Sequence, residues 1–188
     1  MLARVHSAAV MGIDARVLDV EVDVSEGFPC FNIVGLPDAS VREARDRVRS
    51  ALRSGGYPFP SGSVTVNLAP ADFRKVGASL DLPVALALLL IGGLESRPLL
   101  RRVSIGELAL NGEVRPIRGA LCLALAARDA GFSEIVLPAA NAPEAAAVDG
   151  IRVVPVGSLS AAVLHVAGEL RIDPFVAPPA GPPPPADV

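Results

Sequence analysis

The chain has few of the side chains that bind transition metals or form disulfide bonds. Its 188 residues include two cysteines, Cys30 and Cys122, which are far apart in apolar surroundings, and two histidines, His6 and His165. There is no C-x-x-C pair, and a structural zinc site needs four closely spaced ligands. We therefore expect no bound metal, and we expect both thiols to be buried and reduced, as is usual in a reducing compartment.

Segments that would direct the chain into or across a membrane are also lacking. The longest apolar run, residues 82–94, contains a proline and two glycines and is about a third shorter than the roughly 20 residues that cross a bilayer. The first residues lack the basic and apolar regions of a secretory signal, because acidic residues and strand-like alternation begin almost at once. The sequence therefore predicts a cytoplasmic protein with no membrane partner.

The usual nucleotide-binding motifs are missing as well. The phosphate loop G-x-x-x-x-G-K-[ST] does not occur, since Lys75, the only lysine in the chain, precedes a valine and lacks the required upstream glycine. Neither G-x-G-x-x-G nor H-E-x-x-H is present. We therefore expect this chain to bind no cofactor by itself and to hydrolyse no nucleotide.

The sequence does contain a regular succession of strand and helix patterns. Apolar and acidic residues alternate over 17–24, as in a strand, and residues 80–91 are apolar on almost every side, as in a buried helix. Asn111-Gly112 between two apolar-rich arms favours a hairpin with a type I′ turn. We predict an α/β fold (α+β layered) with a mixed sheet and packed helices. The predicted strands are 2–10, 15–24, 30–35, 63–69, 134–137 and 151–155, and the predicted helices are 40–54, 80–91, 119–128, 142–148 and 158–170.

One predicted helix carries a row of basic side chains. It begins with a capping-box spacing at Ser40 and Glu43. Four arginines fall on one flank of it and are candidates for contacts with DNA phosphates or a protein partner: Arg42, Arg45, Arg49 and Arg53. The alternative is an ordinary exposed helix, in which Glu43 pairs with Arg47 and Arg42 pairs with Asp46. The net charge of -3 provides no chain-wide attraction to nucleic acid, so DNA binding would depend on this row.

The loop from residue 70 to residue 83 has the most reactive side chains. Ser79 is placed to cap the helix that follows, and Lys75 lies four residues before it. A lysine with a lowered pKa would activate this serine as a nucleophile, but a capping serine with a solvated or paired lysine is the interpretation that the sequence favours. The polar residues of the loop are candidates for a surface that contacts DNA or a partner: Asp72, Arg74, Lys75 and Asp81.

The last residues of the chain differ in composition from the rest. Seven of the 18 prolines lie in residues 173–188, a composition typical of an extended, partly polyproline segment. We expect residues 1–172 to form one domain and residues 173–188 to form a linker. Because a linker needs a second domain to connect, we also expect the chain to be part of a longer protein.

Four motifs carry a resemblance to a known family. They are A-R-V-H-S-A-A-V-M-G-I-D-A, F-N-I-V-G-L-P-D-A-S-V-R-E-A-R-D-R-V, V-N-L-A-P-A-D-F-R-K-V-G-A-S-L-D-L-P-V-A-L and S-I-G-E-L-A-L-N-G-E-V-R-P-I-R-G-A-L. In this order, over about residues 1–170, they resemble the N-terminal domain of the YifB/ComM family, the magnesium-chelatase-like AAA+ ATPases of bacteria. That domain is similar to the proteolytic domain of Lon and to the C-terminal domain of RadA, a fold shared with a ribosomal small-subunit protein.

The resemblance implies a role for this part of a larger protein. ComM-type members look like hexameric DNA helicases that act in branch migration during natural transformation, with ATP and Mg²⁺ bound by a motor domain. We expect a noncatalytic accessory domain that supports ring assembly and DNA engagement, with its own AAA+ domain, further copies and DNA as partners. The first alternative is an unusual or vestigial serine peptidase that uses Ser79, and a weaker alternative is a magnesium-chelatase-type subunit. Against the peptidase, Ser79 matches the serine of Lon, but Leu121 stands where Lon has its lysine.

Overall fold

Within the residues that the computed structural model describes, 1–95 and 101–177, the centre of the fold is a seven-stranded mixed sheet. The strands are β1 (Leu2–Met11), β2 (Asp14–Ser25), β3 (Cys30–Val34), β4 (Ser63–Ala69), β5 (Arg102–Ser104), β6 (Glu107–Leu108), β7 (Val114–Arg115), β8 (Glu134–Pro138) and β9 (Arg152–Val156). The sheet has the order β3-β4-β2-β1-β5-β8-β9, and β6 and β7 form a separate ribbon. Antiparallel pairing joins β2 to β1 and β4, and the other pairs of this sheet are parallel.

Six α-helices of the described residues pack against this sheet. They are α1 (Ala39–Arg42), α2 (Ala44–Ser54), α3 (Asp81–Ile91), α4 (Ala120–Asp129), α5 (Ala142–Ala145) and α6 (Leu159–Ala167). One apolar core joins α2, α3 and α6 to the sheet, and a second core joins α4 and α5 to it. The predicted α/β fold with a mixed sheet and packed helices is therefore confirmed.

The apolar helix α3 is buried, as its sequence predicts. Every residue from 81 to 89 is buried, and each large aliphatic side chain among them contributes about 1.5 to 3 kcal/mol by leaving water. Pro83 is tolerated because it lies in the first turn, where its missing N–H has no helical partner. Because α3 begins within residues 70–83, its burial holds the end of this loop against the core.

The long hairpin of β1 and β2 also follows its predicted pattern. Its pairing runs without interruption from Leu2 opposite Asp23 to Met11 opposite Asp14. Gly12 forms the turn with a φ of 66°, a conformation that favours glycine. The apolar residues of β2 that alternate with the acidic ones face the larger core, so the period of two is confirmed.

The turn between β6 and β7 differs from the predicted type I′ turn. Gly112 has a φ of 87°, but among the described residues other than glycine only Leu36 has a positive φ, so Asn111 does not. A type I′ turn needs positive φ at both central residues. Instead Gly112 N donates to Ala109 O and Ala109 N donates to Glu113 O, both at 2.9 Å. The connection is a longer loop that ends in a left-handed glycine.

The helix that carries the arginines begins earlier than predicted and is divided in two. Asp38 is the N-cap residue, and its carboxylate accepts a hydrogen bond from Val41 N at 2.8 Å. Glu43 ends α1 and precedes α2. The predicted capping box at Ser40 and Glu43 is therefore wrong, because Asp38 already supplies the oxygen that the first turn requires.

Both thiols are more accessible than predicted. Cys30 is exposed and Cys122 is partly exposed, so the prediction of two buried thiols is wrong. Cys30 lies on β3, which is an edge strand, and its side chain is on the sheet face that alternates away from the core. An apolar neighbourhood in the sequence does not bury a residue when every second side chain of the strand points to solvent.

The end of the described chain stays attached to the domain. Phe175 N donates to Val153 O at 2.8 Å, so contacts with β9 continue beyond residue 172. Most of the predicted linker, residues 178–188, lies outside the described residues. No helix within the two described ranges is long and apolar enough to cross a membrane.

Candidate functional site

The buried side chain of Lys75 connects two parts of the 70–83 loop by hydrogen bonds. This side chain is 0% exposed, and Nζ donates hydrogen bonds to the carbonyl oxygens of Pro70 and Phe73. The ammonium also lies 4.2 Å from the centroid of the Phe73 ring, within the range of a cation–π contact. Burial lowers the pKa of Lys75 below its ordinary value. These three contacts replace the water that a buried ammonium loses.

The backbone of Lys75 fastens this loop to the loop after β3. Lys75 N donates to Leu36 O, and Asp38 N donates to Lys75 O, both at 3.0 Å. Gly35 permits the close approach of the chain to β4, since a Cβ there would lie 2.2 Å from Leu68 O. Two motifs of the resemblance, F-N-I-V-G-L-P-D and A-D-F-R-K-V-G, therefore meet at Lys75.

Asp81 is buried at the start of α3 and anchors this helix to α2. It is 1% exposed, and its carboxylate accepts hydrogen bonds from Arg47 Nε at 2.6 Å and from Arg47 Nη2 at 3.0 Å. Leu108 N donates to the same carboxylate at 3.2 Å. Burial raises the pKa of Asp81 to about 6, although the hydrogen bonds from Arg47 act in the opposite direction. One carboxylate thus joins α2, α3 and β6.

The predicted contact surface of the loop is wrong for two of its four residues. Lys75 and Asp81 cannot reach a partner, because both side chains are buried and hydrogen-bonded within the chain. Asp72 and Arg74 are exposed, and Asp72 forms an ion pair with Arg16 at 3.1 Å. The outer side of the loop therefore presents one acidic and one basic side chain.

Ser79 lies in a groove of about 810 Å³ beside the loop. Apolar side chains and charges of both signs border this groove, among them Val10, Val76, Glu43, Arg47, Glu107 and Arg118. Among the described residues, neither a lysine nor a histidine lines it. A serine nucleophile needs a base within hydrogen-bond reach, and among the described residues no side chain, the lining carboxylates of Glu43 and Glu107 included, is hydrogen-bonded to the Ser79 hydroxyl.

The start of α3 is also occupied by internal hydrogen bonds. Leu80 is the N-cap residue and no side chain caps the helix, so the prediction that Ser79 caps it is wrong. Leu82 N donates to Gly106 O at 3.0 Å, and Gly106 N donates to Ser79 O at 2.8 Å. These bonds attach residues 79–82 to the chain after β5. They also occupy the N–H of Leu82, so this donor is not available to stabilise an oxyanion.

Leu121, where the resemblance places the lysine of Lon, has no comparable role. It lies in the first turn of α4, is exposed, and its backbone N donates to Glu144 Oε1 at 3.1 Å. Lys75 is held by carbonyl groups of its own loop. The only lysine of the chain is therefore held away from Ser79 by its own loop, and the Lon dyad is not assembled.

The four arginines predicted to share one flank all lie on the surface. We call this group the arginine face; its exposed members are Arg42 on α1 and Arg45, Arg49 and Arg53 on α2. Within the described ranges none of them forms an ion pair, and the predicted pair of Arg42 with Asp46 is absent. The predicted pair of Glu43 with Arg47 is present at 3.4 Å. The arginine face thus keeps its charges available to an external anion.

Arg47 has a role that differs from the predicted exposed pair. It is the half-buried partner of the buried Asp81 carboxylate, and it also donates to Ser40 O at 2.7 Å. A signal was present, because Arg47 lies three residues after Ala44 and four before Ala51, which both face the core. Its place in the helix therefore indicates an inward position.

A second buried carboxylate, Glu134, is absent from the predicted site residues. It forms ion pairs with Arg102 and Arg152, each at 3.3 Å, and accepts a hydrogen bond from His165 Nε2 at 3.2 Å. Ile172 N donates to His165 Nδ1, so the imidazole proton is on Nε2, which donates to Glu134. The cluster joins the starts of β5, β8 and β9 to α6. Its members have no regular spacing in the sequence that would predict the contact.

The described residues offer little to a metal ion or a nucleotide. They contain no group of three or more His, Cys, Asp or Glu side chains placed to hold a metal ion. A nucleotide phosphate needs a lysine that is free to reach it, whereas the Lys75 ammonium is bound by carbonyl oxygens of the loop. In the described structure the only lysine of the chain is therefore not free to contact a nucleotide phosphate.

Comparisons with known proteins agree with the resemblance in the motifs. Residues 20–141 match the family model described as subunit ChlI of Mg-chelatase. The chain is 45% identical over 144 residues to the uncharacterized protein YifB of Salmonella typhimurium, covering 76% of the chain and 28% of YifB. It is 42% identical over 148 residues to competence protein ComM of Haemophilus influenzae, covering 78% and 29%. Lon protease 2 of Thermus thermophilus is 30% identical over 142 residues, 71% of the chain and 17% of the protease.

The extent of these matches defines what they describe. The chain spans less than a third of the length of YifB and of ComM, so the similarity concerns one part of each relative. The family model covers well over half of the chain, including the whole of the 70–83 loop and all of α3. By its sequence and by the fold that carries these motifs, the chain belongs to the magnesium-chelatase subunit ChlI family, together with YifB and ComM.

Proposed function

We propose that this chain is a noncatalytic accessory domain of a ComM-like AAA+ ATPase and that it engages DNA through the arginine face. The observation that carries the proposal is the set of four exposed arginines without carboxylate partners in the described residues. The relative named competence protein ComM supports a role in DNA recombination during natural transformation. In this proposal ATP and Mg²⁺ bind the motor domain and not this chain.

The spacing of the arginine face suits a nucleic-acid backbone. Arg45 and Arg53 are eight residues apart on α2, which corresponds to about 12 Å along a helix that rises 1.5 Å per residue. One DNA strand carries a phosphate about every 3.4 Å along the duplex axis, so this distance covers several phosphates. Since guanidinium groups pair well with phosphate oxygens, the face acts as a sequence-independent contact.

The test is the salt dependence of DNA binding. We expect the double variant Arg45→Ala/Arg53→Ala to bind a labelled DNA duplex about tenfold more weakly at about 50 mM salt. The slope of log affinity against log salt should become shallower by about 1.8, which is about 0.9 for each lost phosphate contact. Fluorescence anisotropy between about 50 and 200 mM salt measures both quantities.

A control must remove equal charge elsewhere. Arg4→Ala/Arg128→Ala takes two exposed guanidinium groups from β1 and α4, away from the arginine face, and should leave the slope unchanged. An equal loss of affinity in both double variants would mean that binding follows net charge alone. An unchanged slope in the Arg45→Ala/Arg53→Ala variant would overturn the assignment of DNA to this face.

Ring assembly is the second part of the proposed role. Asp72 and Arg74 are the polar loop residues that face solvent, so we assign to them a contact with the motor domain or a neighbouring copy. In the full-length protein, Asp72→Ala/Arg74→Ala should lower the hexamer fraction in sedimentation velocity and leave the salt slope of DNA binding unchanged. A wild-type hexamer fraction in this variant would refute the contact.

The match to subunit ChlI of Mg-chelatase favours one second candidate, a chelatase-type subunit. It predicts ATP-dependent insertion of Mg²⁺ into a porphyrin by the full-length protein together with its companion subunits. Absorbance of the product measures this directly. Insertion that is insensitive to Arg45→Ala/Arg53→Ala would support the chelatase role over DNA engagement.

A further inference from the structure

An apolar groove lies next to the arginine face. It has a volume of about 510 Å³ and is formed by residues 57–61, the last half of α3 and Val163 of α6. No charged side chain is among the described residues that line it. Two aromatic residues, Tyr57 and Phe59, line it together with Pro58 and Pro60. The volume is in the range of small-ligand sites, roughly 300 to 1,000 Å³.

Phe59 connects this groove to the arginine face. The guanidinium carbon of Arg49 lies 5.7 Å from the centroid of the Phe59 ring. On the sheet side, Phe59 stacks with Phe31, with centroids 6.1 Å apart and an angle of 24° between the rings. An arginine of the face and an aromatic ring of the groove therefore form one continuous surface.

We propose that the groove stacks the bases of single-stranded nucleic acid while the arginine face holds its phosphates. This inference rests on the proposed function and names the form of its ligand. Proteins that bind single strands combine a basic surface with aromatic rings on which bases stack, and arginine adds a cation–π contribution. The bases of a duplex are already stacked and paired, so they cannot enter the groove without being unstacked.

The aromatic wall is held in place before any ligand binds. Tyr57 N donates to Leu52 O at 2.9 Å, and the ring lies against Gly55, where a Cβ would come within 2.7 Å of Tyr57 Cε2. Pro58 and Pro60 restrict the backbone on both sides of Phe59. Since these residues lose little freedom on binding, the groove binds a base at a low entropic cost.

Tyrosine emission tests the inference in the intact chain. Tyr57 is the only tyrosine and there is no tryptophan, so the intrinsic fluorescence reports on the groove alone. We expect oligo(dT) to quench this emission and to bind about tenfold more tightly than a duplex of equal length, because only its bases are free to stack. Phe59→Leu should bind oligo(dT) about tenfold more weakly than the wild type and should bind the duplex equally well.

Two further variants separate stacking from folding effects. Phe28→Leu removes a 94% exposed ring from the loop after β2 and should bind both oligonucleotides as the wild type does. Gly55→Ala is compatible with the local backbone, φ −80° and ψ 0°, but it displaces the Tyr57 ring. It should weaken single-strand binding at unchanged circular dichroism, and this variant decides the question if Phe59→Leu does not fold.

The outcomes distinguish this inference from the proposed function. Equal binding of single strand and duplex, unaltered by Phe59→Leu or Gly55→Ala, overturns the inference; a salt slope that depends on Arg45 and Arg53 then still upholds the proposed function. Quenching by a proline-rich peptide and not by oligo(dT) assigns the groove to a protein partner and also overturns the inference. No binding of any oligonucleotide refutes both.

Discussion

Two groups of cationic side chains in this chain differ in what they contact. Lys75 and Arg47 point inward, where carbonyl oxygens and the Asp81 carboxylate surround them. The four residues of the arginine face point outward and have no carboxylate partner in the described ranges. The inner group joins loops and helices, while the outer group is available to an anion.

The difference shows that position along the chain does not decide the role of a charge. Arg47 lies on the same helix as Arg45 and Arg49, but only Arg47 turns toward α3. Arg74 and Lys75 are neighbours, and one is exposed while the other is the largest fully buried side chain of the described residues. We therefore expect changes in the inner group to alter stability, and changes in the outer group to alter ligand binding.

The largest expected effect is the loss of Arg47. The variant Arg47→Met leaves the Asp81 carboxylate buried without its partner, which costs about 3 to 5 kcal/mol of unfolding free energy when Asp81 is ionised. Asp81 has a pKa of about 6 in the folded protein against 3.8 ordinarily. Protonation of Asp81 therefore contributes to the free energy of unfolding. This contribution is fully present below about pH 4 and is lost as the pH rises through about 6.

This sign gives the variant a characteristic pH dependence. At about pH 5 Asp81 is mostly protonated, so Arg47→Met should cost less than half of what it costs at about pH 8. Urea unfolding followed by circular dichroism measures both values. Arg128→Met, which removes a surface ion pair of α4, is the control and should cost under about 0.5 kcal/mol at either pH. A cost of Arg47→Met that does not change with pH would contradict the buried pair.

The next effect in size is the loss of the Lys75 ammonium. Lys75→Met keeps the volume of the side chain but leaves the carbonyl oxygens of Pro70 and Phe73 without their donor. We expect a loss of about 2 kcal/mol, because two unsatisfied acceptors cost about 1 to 3 kcal/mol each and relief of charge burial offsets part of this. Thermal and urea unfolding provide the measurement.

Arg74→Met is the matched control for this variant, because it removes one positive charge from the adjacent, exposed position. It should change the unfolding free energy by less than about 0.5 kcal/mol. The salt slope of DNA binding should be the same in Lys75→Met and in the wild type. A shallower salt slope of DNA binding in Lys75→Met would mean that Lys75 contacts DNA. It would then belong to the outer group, and the distinction between the two groups would be wrong.

Most of the fold follows from local patterns that the sequence displays. Alternation in β2 and continuous apolarity in α3 depend on period and burial alone, and both elements are where the sequence predicts them. The errors concern residues whose role depends on distant partners. Asp38 replaces Ser40 as a cap, and it also accepts a hydrogen bond from Gly77 N, 39 positions away.

The inner charges were harder to predict for the same reason. Polar residues in a loop are usually exposed, so Lys75 and Asp81 were placed on the surface. Their burial depends on the Phe73 ring and on the Arg47 guanidinium, which approach only when the loop and α2 are packed. The exposure of the arginine face was predictable, because a helix with one apolar flank leaves the others to solvent.

The smallest expected effect concerns Ser79, which lies in the groove that Glu43 and Arg47 also line. Its side chain caps no helix and meets no lysine or histidine among the described lining residues. We therefore expect Ser79→Ala to change the unfolding free energy by less than about 0.5 kcal/mol and to leave DNA binding unaltered. A fluorophosphonate probe should label neither form, because a serine hydroxyl without a base is a weak nucleophile. Labelling of the wild type that disappears in Ser79→Ala would restore the peptidase and require a base that moves into the groove.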